Sequence, residues 1–367
     1  MQKISIRANL EAIKAYIPGK PVEEVERELG VKVEAKLASN ENTLGPSPLA
    51  VRAIIESASH VNLYPDGSCH YLRNALAAKI GVDPGQLMIT NGADEALSLI
   101  ARTYINPGEE TVMPDPSFPQ YEFATRVMDG KPQMVPLKKD FSYDIDAMLA
   151  AVNECTRILY LCSPNNPTGT VLTKPELEKA LDQLPGNVLV VLDEAYYEYV
   201  TEPDYFNALD YIRSGYPVIA LRTFSKIYGL AGLRVGYTIA DEMIIKDLHS
   251  VREPFNVNRV AQVAAAAALE DDEHVDRGLE TVERGKELLF GELETLGFHC
   301  YPTQTNFIFV DFRQPTDQLF QELLRKGIII RPGGIYGYPE HARVTIGTEV
   351  ENKKFLEKLK EIMSAKV

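Results

Sequence analysis

Between Leu87 and Ala240 the chain alternates short β-rich apolar runs with stretches of helical periodicity. The runs are LMITNG, TVMPD, RILYLCSP, NVLVVLDEAY, PVIALRTFS and RVGYTIA, with helix-patterned segments such as ADEALSLIARTYI between them. That alternation predicts a largely parallel α/β sheet covered by helices. From about Glu273 the texture changes to a long charged amphipathic stretch, HVDRGLETVERGKELLFGELETLG. It is followed by FHCYPTQTNFIFVDF, a helix, GIIIRPGG and HARVTIG, an order that predicts a smaller α+β unit. The first ~35 residues precede the sheet and carry PGKP, which reads as an arm docking on the smaller unit. The expected division is therefore an arm over 1–36, a large domain over 37–272 and a small domain over 273–367. No internal repeat interrupts this plan.

A chain of 367 residues with 45% hydrophobic content is long enough for two cores. Its net charge of −14 argues against broad attraction to nucleic acid or anionic lipid, while leaving room for an anionic small ligand held by a few arginines. Cys69, Cys155, Cys162 and Cys300 show neither a disulfide framework nor metal-ligand spacing and read as packing residues. The six histidines likewise show no metal-ligand spacing. The amino terminus has no signal-like apolar run, and no stretch of 18 uncharged apolar residues occurs, so the expectation is a cytoplasmic protein.

The segment RTFSKIYGLAGLRVGY carries the strongest chemical signal. Thr223, Ser225 and Lys226 sit at the end of an apolar strand, where open α/β sheets place ligands, and Arg234 returns a fixed positive charge. Gly229, Gly232 and Gly236 let backbone pass close to a bound group. In VVLDEAYYEY, Asp193 follows five apolar residues with Tyr196 three positions on. Asp193 is placed either to pair with a protonated heterocyclic nitrogen or to cap the next helix. In CSPNNPTG, Pro164 and Pro167 restrict a turn that carries Asn166, though Asn-Pro and Thr-Gly are also ordinary turn chemistry. In ITNGADEALSLI, Gly92, Ala93 and Asp94 open a helix whose free N–H groups suit a phosphate monoester, with Asp94 alternatively a cap. DPSFPQY places Phe118 and Tyr121 on a loop after a strand, and NLYPDG holds Tyr64 in a turn. GIIIRPGG and HARVTIG each set an arginine, Arg331 and Arg343, at a strand edge, suited to anions or simply to the surface.

Together these segments resemble the fold-type I pyridoxal-phosphate aminotransferases, most closely the histidinol-phosphate aminotransferases. S-K-x-x-x-L-A-G-L-R-x-G and S-P-x-N-P-T-G are the carrying motifs, and the likeness runs from ASNEN near Ser39 to TIGT near Gly347. It implies an aspartate-aminotransferase-like α/β large domain with a smaller α+β domain. It implies that Lys226 forms the cofactor imine, that Asp193 meets the pyridine nitrogen, and that Tyr196 and Asn166 meet the ring oxygen. Phe118 would stack on the ring, and Gly92, Ala93, Asp94, Thr223, Ser225 and Arg234 would hold the phosphate. Tyr64 would reach the cofactor phosphate of the neighbouring subunit, making a homodimer with shared sites. Tyr16, Asn166, Arg331 and Arg343 would contact substrate, expected to be L-histidinol phosphate with 2-oxoglutarate as second substrate in a ping-pong cycle. An aromatic amino acid aminotransferase is the alternative, and a threonine-phosphate decarboxylase a more distant one. A non-catalytic sensor of the same fold would need a basic DNA-binding module, for which the short arm and the acidic charge of the chain leave no room.

Overall fold

The computed structural model describes residues 4–11, 13 and 19–365. Tyr16 lies outside the described residues. The chain enters through a helix, Val22–Leu29, and a two-residue strand β1 (Ala35–Lys36). The central sheet follows, built from β2 (Leu87–Thr90), β3 (Glu110–Asp115), β4 (Lys131–Pro136), β5 (Thr156–Cys162), β6 (Leu189–Asp193), β7 (Val218–Thr223) and β8 (Gly236–Ile239). Their spatial order is β2-β8-β7-β6-β5-β3-β4. All neighbours pair in parallel except β8, which runs antiparallel to both β2 and β7.

Side chains of a strand alternate between the two faces of a sheet, and here both faces are covered. Leu159, Leu161, Val190, Leu192, Val218 and Ala220 pack into one apolar layer. Ile158, Tyr160, Leu189, Val191, Ile219 and Leu221 pack into the other. Carried one step further, this register puts Cys162, Asp193 and Thr223 on the same face at the carboxyl ends of three adjacent strands.

β4 is absent from the runs expected from sequence. KPQMVP carries a proline near each end, and proline removes a ladder donor, so such a segment is best tolerated at a sheet margin. β4 is the edge strand.

The remaining strands are β9 (His299–Cys300), β10 (Phe307–Asp311), β11 (Ile328–Ile329), β12 (Arg331–Pro332) and β13 (His341–Thr345). Four of them form an antiparallel sheet, β12-β13-β10-β9, while β11 pairs in parallel with β1. The long helix Asp272–Thr295, with Asp271 as its cap, leads into this unit, and Glu349–Ser364 closes the described chain. Val25 of the entry helix packs with Leu324 and Ile329 of the same unit. Before that helix the segment touches the other unit instead: Asn9 Nδ2 donates to Arg126 O at 2.9 Å. Three cysteines are buried, but Cys155 is exposed, in the turn before β5 where its N–H donates to Asn153 Oδ1. Packing therefore explains three of the four and not Cys155. Among the described residues no helix is long and apolar enough to cross a membrane.

Candidate active site

At the carboxyl ends of β5, β6 and β7 lies a cleft of about 310 Å³. Its lining includes Asp94, Phe118, Asn166, Asp193, Tyr196 and Lys226. Ala93, Thr223, Ser225 and Arg234 also line it, so residues scattered over more than 140 positions converge on one space.

One end of the cleft is an anion seat. The helix Ala93–Tyr104 starts there with Gly92 as N-cap, and no side chain caps it, so its first N–H groups remain for a ligand. The alternative of Asp94 as cap is set aside: its carboxylate faces Arg234 Nη2 at 3.3 Å. Thr223 Oγ1 and Ser225 Oγ lie 2.9 Å apart, and Arg234 Nη1 approaches Ser225 Oγ at 3.4 Å. Gly92 has φ of 77°, and a Cβ there would come within 2.5 Å of Arg234 Nη2. Glycine is thus the residue that lets the arginine lie against the helix start. Hydroxyls, helix N–H groups and a guanidinium make a donor set suited to a phosphate monoester.

At the other end Asp193 is 4% exposed. Its Oδ2 accepts from Tyr121 Oη at 2.7 Å and its Oδ1 from Ala195 N at 3.1 Å. Burial pushes its pKa up to about 6, against the pull of those two donors. A carboxylate held so far from water is matched to a cationic ring nitrogen, which would restore its charge. Tyr121 was expected on a loop. It lies instead in the helix Gln120–Val127, fully buried and stacked on Tyr160 with centroids 5.0 Å apart. Phe118 meets Tyr121 edge-on at 5.8 Å and presents an aromatic wall to the cleft.

Lys226 lines the same cleft, partly buried, with Nζ 5.4 Å from the Tyr196 ring centroid. Burial lowers its pKa to about 8, helped by the positive charges of Arg343 and Arg234 and opposed by Glu41. A useful fraction is therefore the neutral, nucleophilic amine near neutral pH. Asn166 precedes a cis bond to Pro167, and its Oδ1 accepts from Arg343 Nη1 at 2.6 Å. That leaves the amide nitrogen to meet a ligand.

Arg343 is 6% exposed and also donates to Ala38 O at 2.5 Å. Arg331, 7% exposed, is its direct partner across β12 and β13, so the two guanidinium groups share one face of the small sheet. Two guanidinium groups side by side on one face suit an anion. Tyr64 stands apart: it is 79% exposed, stacks on Phe255 at 4.8 Å, and is not in the cleft of its own chain.

Three features of this region were not anticipated from sequence. Tyr121 and Asn40 hold Asp193 and Tyr196 across separations of 72 and 156 residues. On the opposite face of the sheet Arg222 Nε donates to Glu194 Oε2 at 2.8 Å, with its guanidinium 3.7 Å over the Tyr197 ring. Only the alternation of Arg222 with Thr223, and of Glu194 with Asp193, hinted that each pair splits between faces.

Residues 33–359 match the model of the family described as aminotransferase class I and II. The chain belongs to that family. Among curated relatives of this aminotransferase, the histidinol-phosphate aminotransferase of Moorella thermoacetica is 54% identical over 359 residues, covering 98% of this chain and 93% of its own. Among solved structures, the histidinol-phosphate aminotransferase of Sinorhizobium meliloti in complex with pyridoxal-5'-phosphate superposes with a TM-score of 0.92 at 27% identity, covering all of both chains. A Thermus thermophilus aspartate aminotransferase double mutant reaches 0.85 at 23% identity, covering 98% of this chain and all of its own, and shares the fold. This aminotransferase thus has the aspartate-aminotransferase-like fold, with a mostly parallel sheet flanked by helices.

Proposed function

We propose that this chain is a pyridoxal-phosphate-dependent transaminase interconverting L-histidinol phosphate and 2-oxoglutarate with imidazole-acetol phosphate and L-glutamate. The observation that carries the cofactor assignment is the convergence of Lys226, an anion seat and a buried carboxylate on one cleft. When bound, pyridoxal phosphate supplies an electrophilic carbon joined to an electron-withdrawing ring. Thr223, Ser225, Arg234 and the helix start at Ala93 would hold its phosphate, Asp193 its ring nitrogen, and Tyr196 and Asn166 its ring oxygen, with Phe118 against its face. Lys226 Nζ would hold the cofactor covalently. As a free amine the same nitrogen would take the proton from the substrate α-carbon and give it back. Asp193 would keep a negative charge against the ring nitrogen.

The depressed pKa of Lys226 has a measurable sign. Only the neutral amine attacks a carbonyl carbon, so the rate at which cofactor-free protein captures pyridoxal phosphate should rise with pH and level off above about 8. An unperturbed lysine would keep rising toward about 10.4. Stopped-flow absorbance over that range checks it, and a rate still climbing at pH 10 overturns the low pKa.

The cross-strand pair Arg331 and Arg343 favours a phosphorylated substrate. A phosphate monoester carries nearly two negative charges at neutral pH, a carboxylate one. Arg331→Ala should therefore lower kcat/KM for histidinol phosphate about 10²-fold, as expected for loss of a charge-assisted contact, and affect phenylalanine far less. Equal losses in a side-by-side substrate assay remove Arg331 from the phosphate. An aromatic amino acid as the better substrate of the unaltered protein would favour the aromatic aminotransferase reading.

The reading includes a cytoplasmic homodimer. Val61, Leu63, Tyr64 and Phe255 form an exposed apolar patch, which supports Tyr64 crossing to the partner's cofactor phosphate. The division into an arm over 1–36, a large domain over 37–272 and a small domain over 273–367 belongs to the same proposal, as does a substrate contact by Tyr16.

A further inference from the structure

Asn40 is 1% exposed and has φ of 56°, a left-handed conformation uncommon outside glycine. Every polar group it owns is engaged. Its N–H donates to Thr345 Oγ1 at 3.0 Å, and its carbonyl accepts from Asn306 Nδ2 at 3.0 Å. Its side-chain Oδ1 accepts from Thr345 Oγ1 at 2.9 Å, and its Nδ2 donates to Tyr196 Oη at 2.9 Å.

The hydrogen bonds run in one direction, from Thr345 through the Asn40 amide to Tyr196. Thr345 Oγ1 accepts from the Asn40 backbone and gives its single proton to Oδ1, and the amide nitrogen faces the phenol. A phenol oxygen has one proton and can accept. With the Asn40 N–H pointing at the oxygen, the Tyr196 proton is turned away from Asn40. Among the described residues no acceptor for that proton is recorded, and Tyr196 lines the cleft. Its ring is held edge-on against Phe307 at 5.3 Å, so it cannot swing to find another partner.

We propose that Asn40 is a positioning residue that makes the Tyr196 hydroxyl a fixed donor into the cleft and ties that donor to β13, the strand bearing Arg343. The tie is short. Thr345 and Arg343 are two residues apart on one face of β13, and Arg343 donates to Ala38 O, two residues before Asn40. The segment 38–40 is thereby clamped to β13 at two points, and Tyr196 hangs from its end. The inference deepens the proposed function and rests on it, because the donor acts on the ring oxygen of pyridoxal phosphate.

A donor to that oxygen stabilises the form in which the oxygen is negative, after the bound cofactor has lost its proton. Weakening the donor makes the proton harder to remove. The test is a spectrophotometric pH titration of the cofactor-loaded protein, read as the midpoint of its visible absorption change. Asn40→Gly suits it, since glycine accepts the left-handed backbone. The midpoint should rise by about 1 pH unit, the size of one charge-assisted hydrogen bond. In a Tyr196→Phe background Asn40→Gly should change nothing further. Thr345→Val, which frees the Asn40 amide to turn over, should move the midpoint the same way and decides the matter if Asn40→Gly does not fold. An unmoved midpoint in the folded variants overturns the inference while leaving the cofactor assignment standing. A shift that persists without the Tyr196 hydroxyl overturns it as well. Unaltered protein that takes up no pyridoxal phosphate sinks the proposed function and this inference with it.

Discussion

Lys226→Ala should bind pyridoxal phosphate yet show no turnover and no visible absorption from covalently held cofactor. The reasoning is local. Among the described residues lining the cleft Lys226 carries the one amine, so none of those neighbours can take its place. The substitution removes a nucleophile and an acid–base group together. Each alone contributes on the order of 10²–10⁴-fold, and the joint loss should exceed about 10⁴-fold. The anion seat of Thr223, Ser225, Arg234 and the helix start at Ala93 does not depend on the lysine, so non-covalent uptake should survive. Equilibrium dialysis with cofactor, alongside steady-state turnover, separates the two effects. A yellow and fully active variant would remove Lys226 from the chemistry.

Asp193→Ala should behave differently: the lysine still captures cofactor, but turnover falls by at least about 10²–10³-fold, the scale set by loss of one preorganised electrostatic partner. The carboxylate is buried, held by Tyr121 and Ala195, and its pKa is raised to about 6 by desolvation. In the free protein it therefore ionises as pH rises through about 6, and a cationic ring nitrogen beside it would hold the charge to lower pH. Truncation also strands the buried Tyr121 hydroxyl, which costs about 1–3 kcal/mol of stability. Asp193→Asn removes the charge and keeps an acceptor for Tyr121, so it isolates the electronic contribution from the structural one. Single-turnover kinetics of α-proton removal give the answer. Normal rates in Asp193→Asn would reject the role of the charge.

The sheet was legible because strands buried on both faces need continuous apolar runs, and each such run ended abruptly in polar residues. Asp193 after LVVL and Thr223 after VIALR are the two clearest cases. The period of two then assigns faces without further information, which is why Cys162, Asp193 and Thr223 could be expected together once neighbouring strands were known. β4 escaped notice because its prolines obscure the pattern that its edge position permits. The partners of the site residues were illegible for another reason. Tyr121 meets Asp193, and Asn40 meets Tyr196, only after the chain has closed loops of 72 and 156 residues. A hydrogen bond across such a distance leaves no periodic trace in either segment. Tyr121 looked like one more loop aromatic, and Asn40 like one more polar residue in SNEN.

The grip on the anion seat and the grip of Arg331 and Arg343 belong to different sheets. Thr223, Ser225, Arg234 and Ala93 cluster around the β2, β8 and β7 margin of the large one, whereas both arginines ride on β12 and β13 of the small one. On the proposed reading, the reusable catalyst is fastened to one body and the passing reactant to another. A reactant can then be exchanged at the small sheet with the contacts that berth the catalyst on the large one left intact.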